Sequence, residues 1–434
     1  MPTTYAENGS VLAARYIPRV TDQKASWRHW RVVVLLGISV FINYLDRGSL
    51  SVAAPLLKDE LALSASKLGI LLSSFFWTYT GFQLVAGWLA DRFEVGWVMA
   101  AGFFLWSVAT SVTGTLHGFA LLLAARLLLG IGESVSFPAC SNILARYFPE
   151  EQRGFANSLI VFGFATGPAF SMFLGGMAMA RFGWRPFFVV AGLLSLLWLV
   201  PWLVWMPRGK SADACPAIAS FQTRKILRQR SAWGTFAALF CTNYLSYFLL
   251  TWMPFFLVRE RHFPMAQMAR IAGGCYLSAA LFALVCGRLS DWFIVHGASP
   301  TRVRKAFTAA GMACAAVALI GCTAGGEILS VAMLGMATAS YGITCSNVWA
   351  ITQTLAGPDA AGRWTGLQNF VGNFAGIIAP ALTGFVVDRT GHFFWAFAIT
   401  ACVSLLGSIA YAFAIGTVEP VAWNVESSAE SHLP

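Results

Sequence analysis

The chain has 434 residues, of which 57% are hydrophobic and only 11% charged, with a formal net charge of +10. A water-facing globule carries about 25% charged residues, so that class is excluded and most of this surface must meet something apolar. The positive charge, which in a soluble chain would suggest nucleic acid, is read here as the Lys and Arg excess of loops on the inner face of a lipid bilayer, and no nucleic-acid partner is expected.

The first thirty residues are polar and lack the apolar core of a secretory signal. Beyond them come twelve apolar runs, each about the 20 residues needed to cross roughly 30 Å of hydrocarbon. In chain order they cover 31–57, 67–90, 97–115, 118–144, 153–180 and 184–206, then 231–257, 266–290, 304–323, 327–351, 362–387 and 393–416. A polar linker at 207–230 carries Arg208, Lys210, Arg224, Lys225, Arg228 and Arg230. The expected organisation is therefore a tail at 1–30, a six-helix bundle at 31–206, the linker, a second bundle at 231–416 and a tail at 417–434. Most of the nine cysteines lie inside apolar runs without metal-ligand spacing and read as small core residues.

With both termini in the cytoplasm, inner segments collect about eighteen Lys and Arg and outer segments about eight, a positive-inside bias. The two halves repeat. Asn43-Tyr44-Leu45-Asp46 returns as Asn243-Tyr244-Leu245-Ser246, and Gly87-Trp88-Leu89-Ala90-Asp91 returns as Gly287-Arg288-Leu289-Ser290-Asp291, both at an offset of 200 residues. Cys140-Ser141-Asn142 matches Cys345-Ser346-Asn347 at nearly the same offset. Two parallel six-helix halves with a site near mid-membrane between them describe a rocking transporter.

A charge at the bilayer centre costs about 2.5–3.5 kcal/mol on insertion scales, so each one demands a reason. Four lie deep, all in the first half: Asp46 and Arg47 in helix 1, Arg126 and Glu133 in helix 4. Seven residues put Arg126 and Glu133 two turns apart on one face, about 10 Å along the axis. Asp46 and Arg47 diverge by about 100° and should face different partners. The arginines offer forked donors suited to a carboxylate, and the acids can exchange a proton whose binding is linked to that of the anion, which is symport in thermodynamic form. The plainer alternative is that the four residues only pair to brace helices 1 and 4, and spacing alone does not exclude it.

The chain resembles the major facilitator superfamily through Gly87-x-x-x-Asp91-Arg92 in the loop after helix 2, although Glu94 and Gly96 stand where a second basic cluster is usual. Within that superfamily it resembles the anion:cation symporters, the group of galactonate, glucarate and hexuronate permeases, sialin and the vesicular glutamate transporters. The residues carrying the likeness are Asn43-Tyr44-Leu45-Asp46-Arg47, Tyr79, Arg126-x-x-x-Gly130-x-x-Glu133 with Phe137-Pro138, and Tyr147-Phe148-Pro149 with Arg153. The resemblance implies an all-α membrane protein of twelve transmembrane helices in two six-helix halves. It implies Asp46 and Glu133 as proton-coupling groups, Arg47 and Arg126 as substrate ligands, and Asp91 with Arg92 as a gate that latches the halves in the outward-open state. It also implies that Tyr79, Ser346, Trp349 and Asn369 hold the body of the substrate.

For the polar residues, an interhelical hydrogen bond is the plainer alternative, and for Trp349 simple packing. Tyr247, opposite Arg47 in the repeat, is a further candidate, and Gln83 and Asn373 share faces with Tyr79 and Asn369. Phe164 stands where galactonate-type members carry a glutamine, which makes a heavily hydroxylated substrate less secure and an aromatic carboxylate more plausible. Asp388 reads as a helix-end acid facing solvent. The expected function is proton-coupled uptake of a small organic anion by a monomer in a bacterial inner membrane, with an exporter or exchanger as the alternative. A sensor or membrane enzyme is disfavoured because there is no deep histidine, no metal cluster and no nucleophile with a base. No cofactor or metal is expected.

Overall fold

A backbone in hydrocarbon must satisfy its own N–H and C=O groups, and a helix does so within one segment. The computed structural model describes residues 27–148, 150–206, 223–421 and 423, and these fold almost entirely as helices. In the first half they are α1 (Trp27–Glu60), α2 (Ala65–Arg92), α3 (Val95–Thr113), α4 (Phe119–Leu144), α5 (Glu150–Phe170, continuing through Ser171–Gly175 to Gly176–Phe182) and α6 (Trp184–Trp205). In the second they are α7 (Arg230–Arg259), α8 (Met265–Val295), α9 (Pro300–Ala324), α10 (Glu327–Gly357), α11 (Arg363–Thr390) and α12 (Phe394–Ala414). Eleven of these are long and apolar enough to span a bilayer, and α2, at 28 residues, completes the twelve. Each coincides within a few residues with an apolar run of the sequence.

Local breaks have local causes. α4 loosens at Ser134 and Val135, directly after the buried Glu133. In α5, Pro168 removes one ladder donor, and the next turn widens to a π turn at Ser171–Gly175. Between α10 and α11 the chain turns at Gly357, whose φ of 64° suits glycine and few other residues. Pro55 and Pro254 lie near the ends of α1 and α7 at almost the repeat offset.

Each half has an aromatic core, and several of its indoles donate to backbone carbonyls. In the first, Trp198 stacks on Phe103 at 4.0 Å and on Trp202 at 4.9 Å. The two indoles donate to Leu35 O at 2.8 Å and Gly96 O at 2.9 Å. In the second, Trp252 donates to Pro380 O, and Phe248 and Phe256 pack on Phe397. The outer faces keep large apolar side chains exposed, among them Val285, Val295 and Phe413, as expected where lipid rather than water is the solvent.

The halves meet on the side of the membrane that holds the α1–α2 and α7–α8 connections, called here the sealed side. There α2 lies against α11 with almost no gap: a Cβ on Gly69 would stand 2.5 Å from Pro380 O, and one on Gly384 would stand 2.3 Å from Ala65 O. Asp388 of α11 accepts hydrogen bonds from the backbone N–H groups of Ala65 and Ser66, each at 2.7 Å, and so caps α2 across the seam. Asp388 stays exposed at its helix end, as the sequence suggests, and in addition its carboxylate satisfies orphan donors at a helix N-terminus, where negative charge is favoured. α1 meets α7 through Arg259, which ion-pairs with Asp59 and donates to Pro55 O at 3.3 Å. Phe76 of α2 packs on Tyr247 of α7 at 4.4 Å, near mid-membrane. All of these contacts lie at mid-membrane or on the sealed side, and the opposite side is called the open side.

Candidate functional site

The four deep charges converge between α1 and α4, with α2 and α3 supplying walls. Arg47 on α1 donates from Nε to Glu133 Oε2 on α4 at 2.9 Å, and both side chains are almost wholly buried. The neighbouring residue, Asp46, points the other way and accepts from the Thr110 hydroxyl of α3 at 3.2 Å. Adjacent residues on a helix diverge in this way, so one turn of α1 sends an acid toward α3 and a base toward α4. Asp46 stays within electrostatic range of Glu133 and Arg126.

Aromatic rings enclose Arg47. Its guanidinium carbon lies 4.3 Å from the Tyr79 ring centroid, 4.6 Å from Tyr44 and 4.8 Å from Phe75. Cation–π contact of this kind holds a desolvated guanidinium without neutralising it. Nη1 also reaches the Tyr44 hydroxyl at 3.5 Å, whereas Nη2 has no hydrogen-bond partner. Arg126 is the less satisfied base. It lies 5.2 Å from the Phe75 ring, is 5% exposed, leaves Nε without a partner and forms no ion pair with any described residue. Glu133 Oε1 is likewise unpartnered. Buried polar atoms without partners are uncommon in stable proteins, and three of those found here, Arg47 Nη2, Arg126 Nε and Glu133 Oε1, belong to the deep charges.

Both arginines reach a cavity of about 10 Å³, bounded also by Ser51, Leu72, Phe75, Phe76, Leu250 and Thr251. That is room for about one water. It lies under the sealed side, next to Thr251 of α7. Phe164 of α5 packs edge-on against Tyr44 at 4.5 Å and is 38% exposed.

Of the other residues expected at the site, Tyr79 is brought in: it is buried, stacked on Phe75 at 5.1 Å and placed over Arg47. Ser346 on α10 is half-buried, and its hydroxyl donates to Ile343 O at 2.6 Å and accepts from Asn347 Nδ2 at 2.9 Å. Trp349, one turn on, is 40% exposed. Asn369 on α11 is half-buried, on the same face as Asn373, whose Oδ1 accepts from the Tyr247 hydroxyl at 2.9 Å. No described hydrogen bond or ion pair joins Ser346, Trp349 or Asn369 to the first-half charges. The side chain of Asp91 lies outside the described residues, and Arg92 is exposed at the end of α2.

Sequence reasoning missed three participants. Phase along the helix could have found Phe75, one turn before Tyr79, and Tyr44, one turn before Arg47 on the same face. Thr110 carried no signal, because a threonine in an apolar run is commonplace until the fold puts an aspartate beside it.

Comparisons with known proteins agree with this architecture. The family model described as Major Facilitator Superfamily matches residues 36–380. The chain is 29% identical over 88% of its length to the probable L-galactonate transporter of Escherichia coli strain K12, covering 88% of that protein. It is 30% identical over 87% of its length to the hexuronate transporter of Bacillus subtilis strain 168, covering 93% of that protein. The probable sulfoacetate transporter SauU of Cupriavidus necator is 27% identical, over 90% of this chain and 94% of that one. Among solved structures, a bacterial homolog of the human lysosomal transporter Spinster, inward-facing and occupied, superposes with a TM-score of 0.73 at 17% identity, covering 89% of this chain and 96% of that one. A mutant of the nucleoside transporter NupG gives 0.69 at 14% identity, over 88% of this chain and 99% of that one.

Proposed function

The chain belongs to the Major Facilitator Superfamily, and from that premise we propose that it couples the entry of a small organic anion to that of protons. It is a multi-pass membrane transporter and not an enzyme. The observation that carries the anion is Arg126, a buried guanidinium that forms no direct ion pair with any described residue. A desolvated cation of this kind is costly when alone and well suited to a carboxylate that brings its own charge and two acceptor atoms. Sugar acids are the named cargo of relatives of similar length, and a carboxylate is their common feature.

The proton reading rests on Asp46 and Glu133. Arg47 is occupied by Glu133 through one nitrogen and retains a free Nη2. A substrate carboxylate arriving at Nη2 and Arg126 competes with Glu133 for the positive field. Whatever weakens the hold of the arginines on the two acids favours a proton on one of them, so anion and proton bind better together than apart. Asp46, held by one threonine hydroxyl rather than an arginine, is the primary proton carrier, and Glu133 is the link between proton and substrate.

On the positive-inside bias, the sealed side faces outward and the open side inward, with both termini cytoplasmic in a bacterial inner membrane. The conformation described is then the one that releases cargo. α2 and α11 part on the outer side in the other state, and Asp91 with Arg92 joins the inner latch. Tyr79, Ser346, Trp349 and Asn369 are the residues we assign to the substrate body, the last three contributed by the opposite half as the halves close. The unit that carries out the cycle is the monomer.

Purified protein in proteoliposomes tests this. An inward proton gradient should drive accumulation of a radiolabelled carboxylate, and Asp46→Asn should abolish accumulation while leaving counterflow intact. Exchange that proceeds at full rate without any response to the gradient would refute the coupling and favour an exchanger.

A further inference from the structure

We propose that a phospholipid of the sealed-side leaflet docks on the outer face of the second half, with one acyl chain in a groove between α8 and α9 and its phosphate on Arg270. The site lies apart from the four deep charges.

The groove has a volume of about 680 Å³, with α8 and α9 as its walls and α10 as its floor. It opens toward lipid: Leu277 and Leu281 of α8, Cys314 of α9 and Met336 of α10 are all exposed around it. Small residues hollow it out. A Cβ on Gly274 or on Gly335 would meet nothing within 4 Å, and Ala339 continues the floor one turn beyond Gly335.

The first half has no such opening at the matching place. At the offset that relates Cys140 to Cys345, Gly335 of α10 corresponds to Gly130 of α4. A Cβ on Gly130 would stand 2.3 Å from Thr78 Oγ1 and 2.4 Å from Phe75 O, so α4 lies hard against α2. Where α2 has Phe75, α8 has Cys275 at the 200-residue offset, and where α4 has Arg126, α10 has Val331. Cys275 and Val331 both line the groove, so the second half lacks a ring and a long side chain where the hollow lies.

Its length fits one acyl chain. The lining runs from Arg270 to Phe282 on α8 and from Val331 to Ile343 on α10, about 18 Å of helix in each case. The hydrocarbon of one leaflet is about 15 Å deep, half of a core of roughly 30 Å. Because α8 starts on the sealed side, the groove begins near that face and ends near mid-membrane. The Ser278 hydroxyl in its wall already donates to Cys275 O at 2.7 Å, which leaves a mainly apolar lining. Water would find few partners there, whereas a lipid chain gains dispersion contact along the whole length.

Arg270 identifies the headgroup. It is exposed at the sealed end of the groove and forms no ion pair with any described residue. An arginine so placed lays its stem along the apolar wall and lifts its guanidinium to headgroup level, where two parallel N–H groups suit a phosphate. A chain-length groove ending at an unpaired guanidinium fits a phospholipid, which carries both parts in one molecule.

Photocrosslinking tests this. Purified, delipidated full-length protein in dodecyl maltoside is mixed with a phosphatidylglycerol that carries a diazirine in one acyl chain, illuminated and digested, and the labelled peptides are mapped. Label should concentrate on residues 271–282 and 331–343. Gly335→Phe, which fills the floor, should lower that labelling about tenfold, and Arg270→Gln should lower it several-fold. A diacylglycerol with the same chains and no phosphate should label the groove several-fold less than the phospholipid, and this difference should vanish in Arg270→Gln. Label spread evenly over the lipid-facing helices would overturn the proposal, as would equal labelling of the unaltered protein by the two probes. Undiminished groove labelling in Gly335→Phe, or in Gly335→Leu should the phenylalanine variant not fold, would overturn it too.

Discussion

Arg47 and Arg126 are alike in sequence and unlike in setting. Arg47 has a carboxylate, three rings and a tyrosine hydroxyl around it, whereas Arg126 has one ring. Their loss should therefore register differently. Arg126→Gln should fold normally and bind substrate at least tenfold more weakly, as expected for a charge-assisted contact of about 1.5–3 kcal/mol; calorimetry on the purified variant measures it. Glu133→Gln instead leaves Arg47 buried without its partner. Breaking a buried pair costs about 3–5 kcal/mol, so that variant should lose thermal stability in detergent, and Arg47→Gln in the same chain should restore part of it. Failure of the second substitution to rescue the first would mean that the pair contributes no coupling energy. The four deep charges were legible in the sequence because lipid makes any ion conspicuous. Their pairing was not: Arg47 and Glu133 are 86 residues apart, and nothing in spacing distinguishes a brace from a binding group.

Among the elements, α2 and α5 connect packing to motion. α2 reaches across the seam to α11, where Asp388 closes its N-terminus. A capping side chain contributes about 0.5–2 kcal/mol, enough to change the ratio of two conformers severalfold or more. Asp388→Ala should thus favour opening of the sealed side. Modification of Thr251→Cys, beneath that seam, by an impermeant maleimide applied from the sealed side should speed up several-fold. An unchanged rate would show that the cap contributes nothing to closure. On α5, Gly163→Val should separate α1 from α5 and leave little folded protein, because the obstructing atom is the Gly37 carbonyl oxygen. Gly81→Ala, at a position with open space around it, should be tolerated in the same expression and size-exclusion assay. Helix positions were readable because a bilayer sets their length and leaves apolar runs between polar breaks. The partners of α2 were not, since the groups that Asp388 binds are backbone N–H groups, which every residue but proline carries.

At the scale of the whole molecule, the repeat is structural and the charge is not. Helices α1 and α7 share Asn-Tyr-Leu and a late proline, yet where α1 continues with Asp46 and Arg47, α7 has Ser246 and Tyr247. All four deep charges thus lie in the first half, and the second has a serine and a tyrosine at the positions of Asp46 and Arg47. This division was visible in the sequence as soon as the halves were aligned. What the alignment lacked was the third dimension that brings Phe76 onto Tyr247 and closes one end of the crevice.

Two acids and two arginines make the buried cluster neutral when both carboxylates are ionised, and that neutrality has an electrical corollary. A monovalent anion entering with one H⁺ shifts no current, and the resting potential neither helps nor hinders it. Should both Asp46 and Glu133 load, one positive charge crosses per turnover, and each 100 mV adds about 2.3 kcal/mol to the driving force. Vesicles clamped with valinomycin and potassium should therefore read the number of titrating sites directly, as voltage-independent flux for one and steeply voltage-driven flux for two.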